Sequence, residues 1–139
     1  MLLLAGEGVL KDEAKQKASD YGIADAIKFI GFRTDVNELM QAMDVYIMPS
    51  LYEGFPVTGV EAQVSGLPCV FSDTITKEVS LSDNLKYISL DAENTEWADM
   101  VLELAKTSNR GLSAQLLKEK GFDIKDMAKA LERIYSKDN

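Results

Sequence analysis

The sequence predicts an α/β fold: a Rossmann-like parallel sheet of about five strands, with helices on both faces and a helical C-terminal tail. Five short apolar runs are mostly continuous rather than alternating, which is typical of parallel strands buried on both faces. Helical stretches separate these runs, and the last third contains helices only. The length of 139 residues favours a single domain over 1–139, with the tail from about residue 94.

The predicted strands are the apolar runs themselves, Met1–Ala5, Ile27–Phe32, Val45–Met48, Cys69–Phe71 and Tyr87–Leu90. The first helix, Val9–Tyr21, is rich in lysine, and Gly22 supplies its stop signal. Asp35 is the expected N-cap of the second helix, Val36–Met43, because Glu38 follows at the capping-box spacing.

Proline and apolar spacing define the remaining helices. Pro56 fits the start of the third helix, Val57–Ser65, which Gly66 ends. Apolar residues recur at helical spacing through Thr95–Thr107. Asp123 is the expected cap of the last helix, whose apolar face comprises Ile124, Met127, Leu131 and Ile134.

Composition excludes several classes of function. The 23 acidic and 15 basic residues give a net charge of −8, which argues against a nucleic-acid partner. The sequence has no histidine, which excludes histidine catalysis and histidine metal sites within these residues. Its one cysteine, Cys69, lies in an apolar stretch, so we expect a buried thiol and a reducing, cytoplasmic location. No apolar run reaches the length of a membrane span or a signal peptide.

The segment from Pro49 to Ala62 carries the clearest chemical signal. It follows a buried strand and opens a helix, which is where open α/β sheets bind ligands. We expect Gly54 to permit an unusual turn, and the free N–H groups of Val57 and Thr58 to face an anion such as a diphosphate. Glu53 and Glu61 are eight residues apart, so both can face one crevice and accept hydrogen bonds from sugar and ribose hydroxyls.

The order of these motifs resembles the retaining GT-B glycosyltransferases with an E-x7-E motif, which Glu53 and Glu61 match. The resemblance is close over residues 1 to about 90 and loose over the tail. The run Ser72–Glu78 is similar to the branch that builds exopolysaccharides and capsules. The other matching motifs are Leu2–Gly8, Phe29–Arg33, Asp44–Ser50 and Gly66–Val70.

The resemblance implies a role for each matching residue. Glu53 contacts the transferred sugar, and Glu61 binds the ribose. The backbone around Phe32 and Arg33 holds the nucleobase. The loop and helix start hold sugar hydroxyls and phosphate, and two glycines line the same crevice; these residues are Gly54, Phe55, Pro56, Val57, Thr58, Gly6 and Gly8.

The resemblance also implies a donor and a partner. The donor is a nucleoside diphosphate sugar, with a UDP-sugar favoured, and neither a metal nor another cofactor is expected. In the family, an earlier strand and loop carry an arginine and a lysine that neutralise the leaving diphosphate, and an N-terminal domain binds the acceptor. We expect this chain to be cut from such a protein and to be inert alone. Self-association and a peripheral position of the parent enzyme at the membrane are further expectations.

Two alternatives stay open, and the missing segment raises a structural question. The first alternative is a non-catalytic α/β interaction module, such as a receiver-like regulatory domain. A receiver domain needs an aspartate at the end of the third strand, where this chain reads Met48-Pro49-Ser50. A sugar-nucleotide epimerase usually needs catalytic histidines. In the family, the absent strand lies between the first and third strands of this chain. Unpaired backbone groups are costly to leave open, so either those two strands close directly, in the order 2-1-3-4-5, or another chain or an added segment fills the gap. We favour direct closure, because the remaining connections permit right-handed crossovers.

Overall fold

Strands and helices alternate along the chain in the computed structural model, which describes residues 1–106, 110, 121 and 124–136. The strands are β1 Leu2–Ala5, β2 Ile27–Gly31, β3 Tyr46–Met48, β4 Cys69–Ser72 and β5 Leu85–Ile88. The helices are α1 Lys11–Asp20, α2 Val36–Ala42, α3 Val57–Val64, α4 Asn94–Lys106 and α5 Ile124–Tyr135, and two short 3-10 turns cover Ala24–Ala26 and Lys77–Val79. Residue contacts divide the chain into two units, Met1–Val36 and Asn37–Asn139.

The first unit is a βαβ arrangement. β1 and β2 are parallel, with Leu2 opposite Ile27 and Leu4 opposite Phe29. Gly6 has a φ of 127° and donates its N–H to the carbonyl of Gly31 at 2.7 Å, which extends the pairing beyond the strand. Gly22, with a φ of 68°, follows the end of α1 as predicted, because a left-handed residue after a helix favours glycine.

The second unit is built around β4, which is parallel to β3 on one side and to β5 on the other. All four residues of β4 are buried. Gly66, with a φ of 76°, follows the end of α3, as predicted. The largest fully buried apolar side chains of the described residues are those of Phe71, Met40, Leu67, Ile75, Val70 and Val79.

A buried glutamine links α3 to the chain before β5. The side-chain amide of Gln63 donates to the carbonyls of Gly59, at 3.2 Å, and Val79, at 2.8 Å. Its Oε1 accepts the N–H groups of Leu81, at 2.9 Å, and Ser82, at 3.3 Å. Gln63 is fully buried, so these four bonds satisfy a polar group that would be costly to bury alone.

The predicted elements are present, with small shifts at their ends. The largest shift is in β5, which begins at Leu85 rather than Tyr87. The carboxylate of Asp35 accepts two hydrogen bonds from Arg33, at 2.7 and 2.5 Å, an interaction that the predicted capping box did not include. The predicted cap at Asp123 lies outside the described residues.

The expected closure between β1 and β3 is wrong. Among the described residues, β1 pairs only with β2, and β3 pairs only with β4, so the five strands form two parallel sheets. β3 contains three residues, so direct pairing between β1 and β3 would form few backbone hydrogen bonds. These few bonds would do little to offset the conformational entropy lost in rearranging the segments that connect the strands. The closed order 2-1-3-4-5 is therefore absent.

The α5 helix leaves apolar side chains in solvent. Leu131, Ile134 and Tyr135 are all exposed, whereas the side chain of Met127 lies outside the described residues. This exposure agrees with the expectation that part of the apolar face is uncovered within the chain. None of the helices that the structure describes combines the length and the apolar character that crossing a bilayer requires.

Candidate functional site

The segment between β3 and α3 forms the centre of the candidate site. It follows the carboxyl end of β3, the edge at which parallel sheets bind ligands. Within it, Glu53 is partly buried, and the hydroxyl of Ser50 donates to Oε1 of Glu53 at 2.7 Å. The predicted sugar-facing carboxylate is thus held in a defined orientation by a hydrogen bond from its own loop.

The start of α3 presents unpaired backbone donors. Pro56 is buried, and its carbonyl accepts the N–H groups of Gly59 and Val60 at 3.0 and 3.1 Å. No side chain caps the helix. In the part of the chain that the structure describes, no acceptor takes the N–H groups of Val57 and Thr58. These donors, at the positive end of the helix dipole, can bind an anion.

Tyr46 connects β3 to this helix start. Its hydroxyl donates to Oγ1 of Thr58 at 3.1 Å. Burial raises the pKa of the Tyr46 hydroxyl, the hydrogen bond to Thr58 opposes that rise, and the negative charges of Glu53 and Glu61 add to it weakly. Tyr46 thus joins the end of the second sheet to the first turn of α3 through a side-chain hydrogen bond.

Three predicted residues of this segment, Gly54, Phe55 and Glu61, differ in backbone conformation and exposure. Gly54 does not adopt a positive φ, and a Cβ atom there would meet no atom within 4 Å. The expected unusual turn at Gly54 is therefore wrong, because the loop reverses without a left-handed residue. Phe55 is half exposed, and Glu61 is exposed on α3, so both are accessible to a ligand.

The other predicted site residues belong to the first unit. Phe32 is 79% exposed, which excludes a role in the core. Arg33 forms an ion pair with Asp35, and the hydrogen bonds from Arg33 lower the pKa of that carboxyl. Gly6 shapes the turn after β1, and Gly8 lies in the following loop, where a Cβ atom would meet no neighbour.

An apolar cavity of about 390 Å³ lies next to the candidate site in the second unit. Pro49, at the start of the site segment, lines it, but neither Glu53 nor Glu61 does. Trp97 also lines it, and the indole N–H of Trp97 donates to the carbonyl of Ser89 at 3.0 Å. The remaining lining residues are Ile47, Leu90, Asn94, Ala98 and Val101.

The hydroxyl residues around Glu53 had no predicted role in the site. Ser72 and Thr74 both donate to the carbonyl of Ser50, at 2.5 and 2.7 Å. A signal for this arrangement was present. Ser50 follows β3 and Ser72 ends β4, and the carboxyl ends of neighbouring parallel strands meet at one edge of a sheet.

Comparison with known proteins gives consistent results. The family described as glycosyl transferases group 1 matches residues 1–107. The chain is 37% identical over 138 residues to EpsF of Bacillus subtilis (strain 168), whose glycosyltransferase assignment is itself provisional. It is 31% identical over 137 residues to the lipopolysaccharide core biosynthesis mannosyltransferase LpsB of Rhizobium meliloti (strain 1021). These matches cover 97% and 90% of this chain but only 36% and 38% of the relatives.

Solved structures confirm the α/β, Rossmann-like fold. HepE from Anabaena, solved in complex with UDP, superposes with a TM-score of 0.75 over 96% of this chain and 40% of its own, at 24% identity. WaaG, a glycosyltransferase involved in lipopolysaccharide biosynthesis, gives a TM-score of 0.69 over 79% of this chain and 30% of its own, at 20% identity. The chain thus has the fold of part of each of these larger proteins.

Proposed function

The chain belongs to the glycosyl transferases group 1 family, and from this premise we propose that it is the donor-binding part of a retaining glycosyltransferase. The donor is a nucleoside diphosphate sugar, and UDP is the favoured nucleotide. The acceptor is a polysaccharide or a lipid-linked sugar, as in exopolysaccharide assembly. The LpsB mannosyltransferase and the UDP complex of HepE support a donor of this class.

The observation that carries the proposal is the geometry of the loop and helix after β3. The unpaired N–H groups of Val57 and Thr58 suit the diphosphate, because they combine hydrogen-bond donors with the positive end of a helix dipole. The carboxylate of Glu53 is oriented by Ser50 beside them. A diphosphate and a hydroxyl-rich sugar need these two kinds of group side by side.

Each remaining residue has a proposed contact. Glu53 accepts hydrogen bonds from hydroxyls of the transferred sugar, and Glu61 accepts those of the ribose. The exposed Phe32 and the backbone of Arg33 bind the nucleobase, since the guanidinium of Arg33 is engaged by Asp35. Gly6 and Gly8 add no side chain of their own to the turn after β1, so a ligand can approach the backbone at these two positions.

Catalysis also requires groups beyond these residues. The chain spans little more than a third of the length of EpsF and LpsB. We assign the acceptor site and the cations that neutralise the leaving diphosphate to the segment that those relatives have in addition. Charge stabilisation of a leaving group carries much of the barrier reduction in such transfers, so these 139 residues alone are expected to bind a nucleotide weakly and to transfer no sugar.

The test separates binding from turnover in a full-length enzyme that carries this segment. Glu61→Ala is expected to weaken UDP binding by about 1–3 kcal/mol in isothermal titration, because hydrogen bonds to a charged group are lost. Glu53→Ala is expected to lower kcat more than it weakens UDP binding, because it faces the sugar.

Glu38→Ala is the matched control, because Glu38 is exposed in α2 and lies outside the proposed site. It should leave UDP affinity and kcat unchanged. A panel of nucleoside diphosphates in thermal-shift measurements identifies the base. If neither Glu53→Ala nor Glu61→Ala differed from Glu38→Ala, the assigned site would be wrong.

A further inference from the structure

One backbone carbonyl accepts hydrogen bonds from two side-chain hydroxyls at the edge of the second sheet. The carbonyl of Ser50 accepts from Oγ of Ser72 at 2.5 Å and from Oγ1 of Thr74 at 2.7 Å. Ser72 ends β4 and is fully buried, whereas Thr74 lies in the turn that follows. The hydroxyls of Ser72 and Thr74 thus both hold the carbonyl oxygen of Ser50 in the loop after β3.

The number of hydroxyl protons determines which of the short contacts among Ser50, Ser72 and Thr74 are hydrogen bonds. The hydroxyls of Ser72 and Thr74 are 3.0 Å apart, so three short contacts join three oxygen atoms. Each hydroxyl has one proton to donate. When both protons go to the carbonyl of Ser50, its two lone pairs are filled and no buried hydroxyl is left unpaired. The arrangement is therefore satisfied with the carbonyl as the common acceptor.

Among the described residues, little apolar packing holds the two residues that follow Ser50. Leu51 and Tyr52, which follow Ser50, are 84% and 82% exposed, so apolar packing contributes little there. The next residue is Glu53, and its carboxylate accepts the hydroxyl of Ser50 at 2.7 Å. Ser50 is thus fixed through its carbonyl and in turn orients Glu53 through its hydroxyl.

We propose that Ser50, Ser72 and Thr74 form a hydroxyl clamp, a set of positioning residues that holds the carboxylate of Glu53 toward the donor sugar. The clamp residues act through Glu53 and do not themselves contact the sugar. This inference rests on the proposed function for the role of Glu53. The clamp itself is a property of the free protein, so its existence can be tested without substrate.

The first test uses the turnover of a full-length enzyme that carries this segment. The double variant Ser72→Ala/Thr74→Val is expected to lower kcat about 10- to 100-fold, the loss that follows from a small misplacement of a reacting group. In a Glu53→Gln background, the same pair should change kcat less than about twofold, because the residue that the clamp positions is already altered. An equal loss in both backgrounds would overturn the proposal, since it would show a general structural defect.

Matched variants separate the clamp from simple loss of a hydroxyl. Thr74→Ser keeps the hydroxyl and should retain turnover, whereas Thr74→Val removes it at an exposed position where folding is not at risk. Ser80→Ala removes a partly buried hydroxyl whose one hydrogen bond within the described residues is with the hydroxyl of Tyr87, at 2.9 Å, and it should leave kcat unchanged. Reduced turnover in Thr74→Ser equal to that in Thr74→Val would count against the clamp.

The second test is NMR relaxation of the 139-residue chain without ligand. The order parameters of residues 50–53 are expected to fall from about 0.85 toward 0.6 in Ser72→Ala/Thr74→Val and to stay unchanged in Ser80→Ala. Unchanged order parameters in the double variant would overturn the clamp. If the loop loosens but Glu53→Gln alone retains full turnover, the clamp stands and the proposed role of Glu53 fails.

Discussion

β1 and β4 have the same kind of sequence and opposite surroundings. Both are four-residue apolar strands in parallel pairs. In β4, the first three residues are completely inaccessible to solvent, whereas Leu2 and Leu4 of β1 are 41% and 38% exposed. A continuous apolar run predicts a strand reliably, but it does not establish that the strand is buried within the chain that contains it.

The difference follows from the neighbours of each strand. β4 has a parallel partner on both sides, and α3 packs on it so closely that a Cβ atom on Gly59 would lie 2.6 Å from the ring of Phe71. In the described part of the chain, β2 is the only strand that pairs with β1. Stability should therefore be concentrated in the second unit, and substitutions there should cost more than similar substitutions in the first.

The largest expected contrast is between Phe71→Ala and Leu4→Ala. Phe71 is fully buried and meets Tyr46 and Tyr87 edge-on, with ring centroids 6.3 and 6.1 Å apart. Its truncation should lower the free energy of unfolding by about 3–5 kcal/mol, and Leu4→Ala by about 1 kcal/mol or less. Urea unfolding followed by circular dichroism measures both. Equal losses would show that β1 is as well packed as β4.

The next contrast in stability is between Gln63→Leu in α3 and Gln16→Leu in α1. Gln63→Leu removes four hydrogen bonds and leaves the buried N–H of Leu81 and carbonyl of Val79 without their partner, at a cost of about 2–4 kcal/mol. Gln16 donates to Asp20, at 2.8 Å on the exposed face of α1, so Gln16→Leu should cost less than about 0.5 kcal/mol. Far-ultraviolet circular dichroism during urea unfolding follows the helices of both units, so it measures both variants. A Gln63→Leu variant as stable as Gln16→Leu would refute the role given to this network.

Within the second unit, the stabilities of Gly59→Ala and Gly54→Ala compare a tightly packed position with an open one. Gly59→Ala should lower stability by about 1–2 kcal/mol, because the clash with Phe71 outweighs the gain in helix propensity. Gly54→Ala should change stability by less than about 0.5 kcal/mol, since its backbone is not left-handed and its surroundings are open. Thermal unfolding of both variants is the measurement. A Gly59→Ala protein of unchanged stability would mean that α3 and β4 shift apart at little cost.

A pH dependence from β4 adds a contrast of another kind, because its size is set by pH rather than by packing. Burial raises the pKa of the Cys69 thiol from 9.0 to about 12. Above pH 9, the unfolded chain loses this proton while the folded chain keeps it, so stability is fully present below pH 9 and falls as pH rises toward 12. The decline attributable to Cys69 is about 1.4 kcal/mol per pH unit.

Cys69→Ala should remove this part of the decline, which is read from the difference in slope between the two proteins across pH 9–10.5. The absolute stabilities need not agree, because the substitution also removes buried volume. Identical slopes would show that the Cys69 thiol ionises over the same pH range in the folded and the unfolded chain.

The positions of the strands and helices could be read from the sequence because local signals specify them. Gly22 and Gly66 mark helix ends at which the backbone needs a left-handed residue, and Pro56 precedes α3 as predicted. The paired glutamates at E-x7-E spacing predict a site at one loop and one helix, because the motif is local to them. The roles of Glu53 and Glu61 stay predictions that the binding and turnover measurements test.

Long-range contacts were decided only by the tertiary structure. Nothing local distinguishes Gln63, which bonds to residues 16 to 19 positions away, from an exposed helical glutamine. The same holds for the carbonyl of Ser50, whose donors lie 22 and 24 residues later. The separation of the strands into two sheets also depends on which strands meet. Sequence patterns report the conformation and polarity of neighbouring residues, whereas burial and pairing depend on distant segments that only folding brings together.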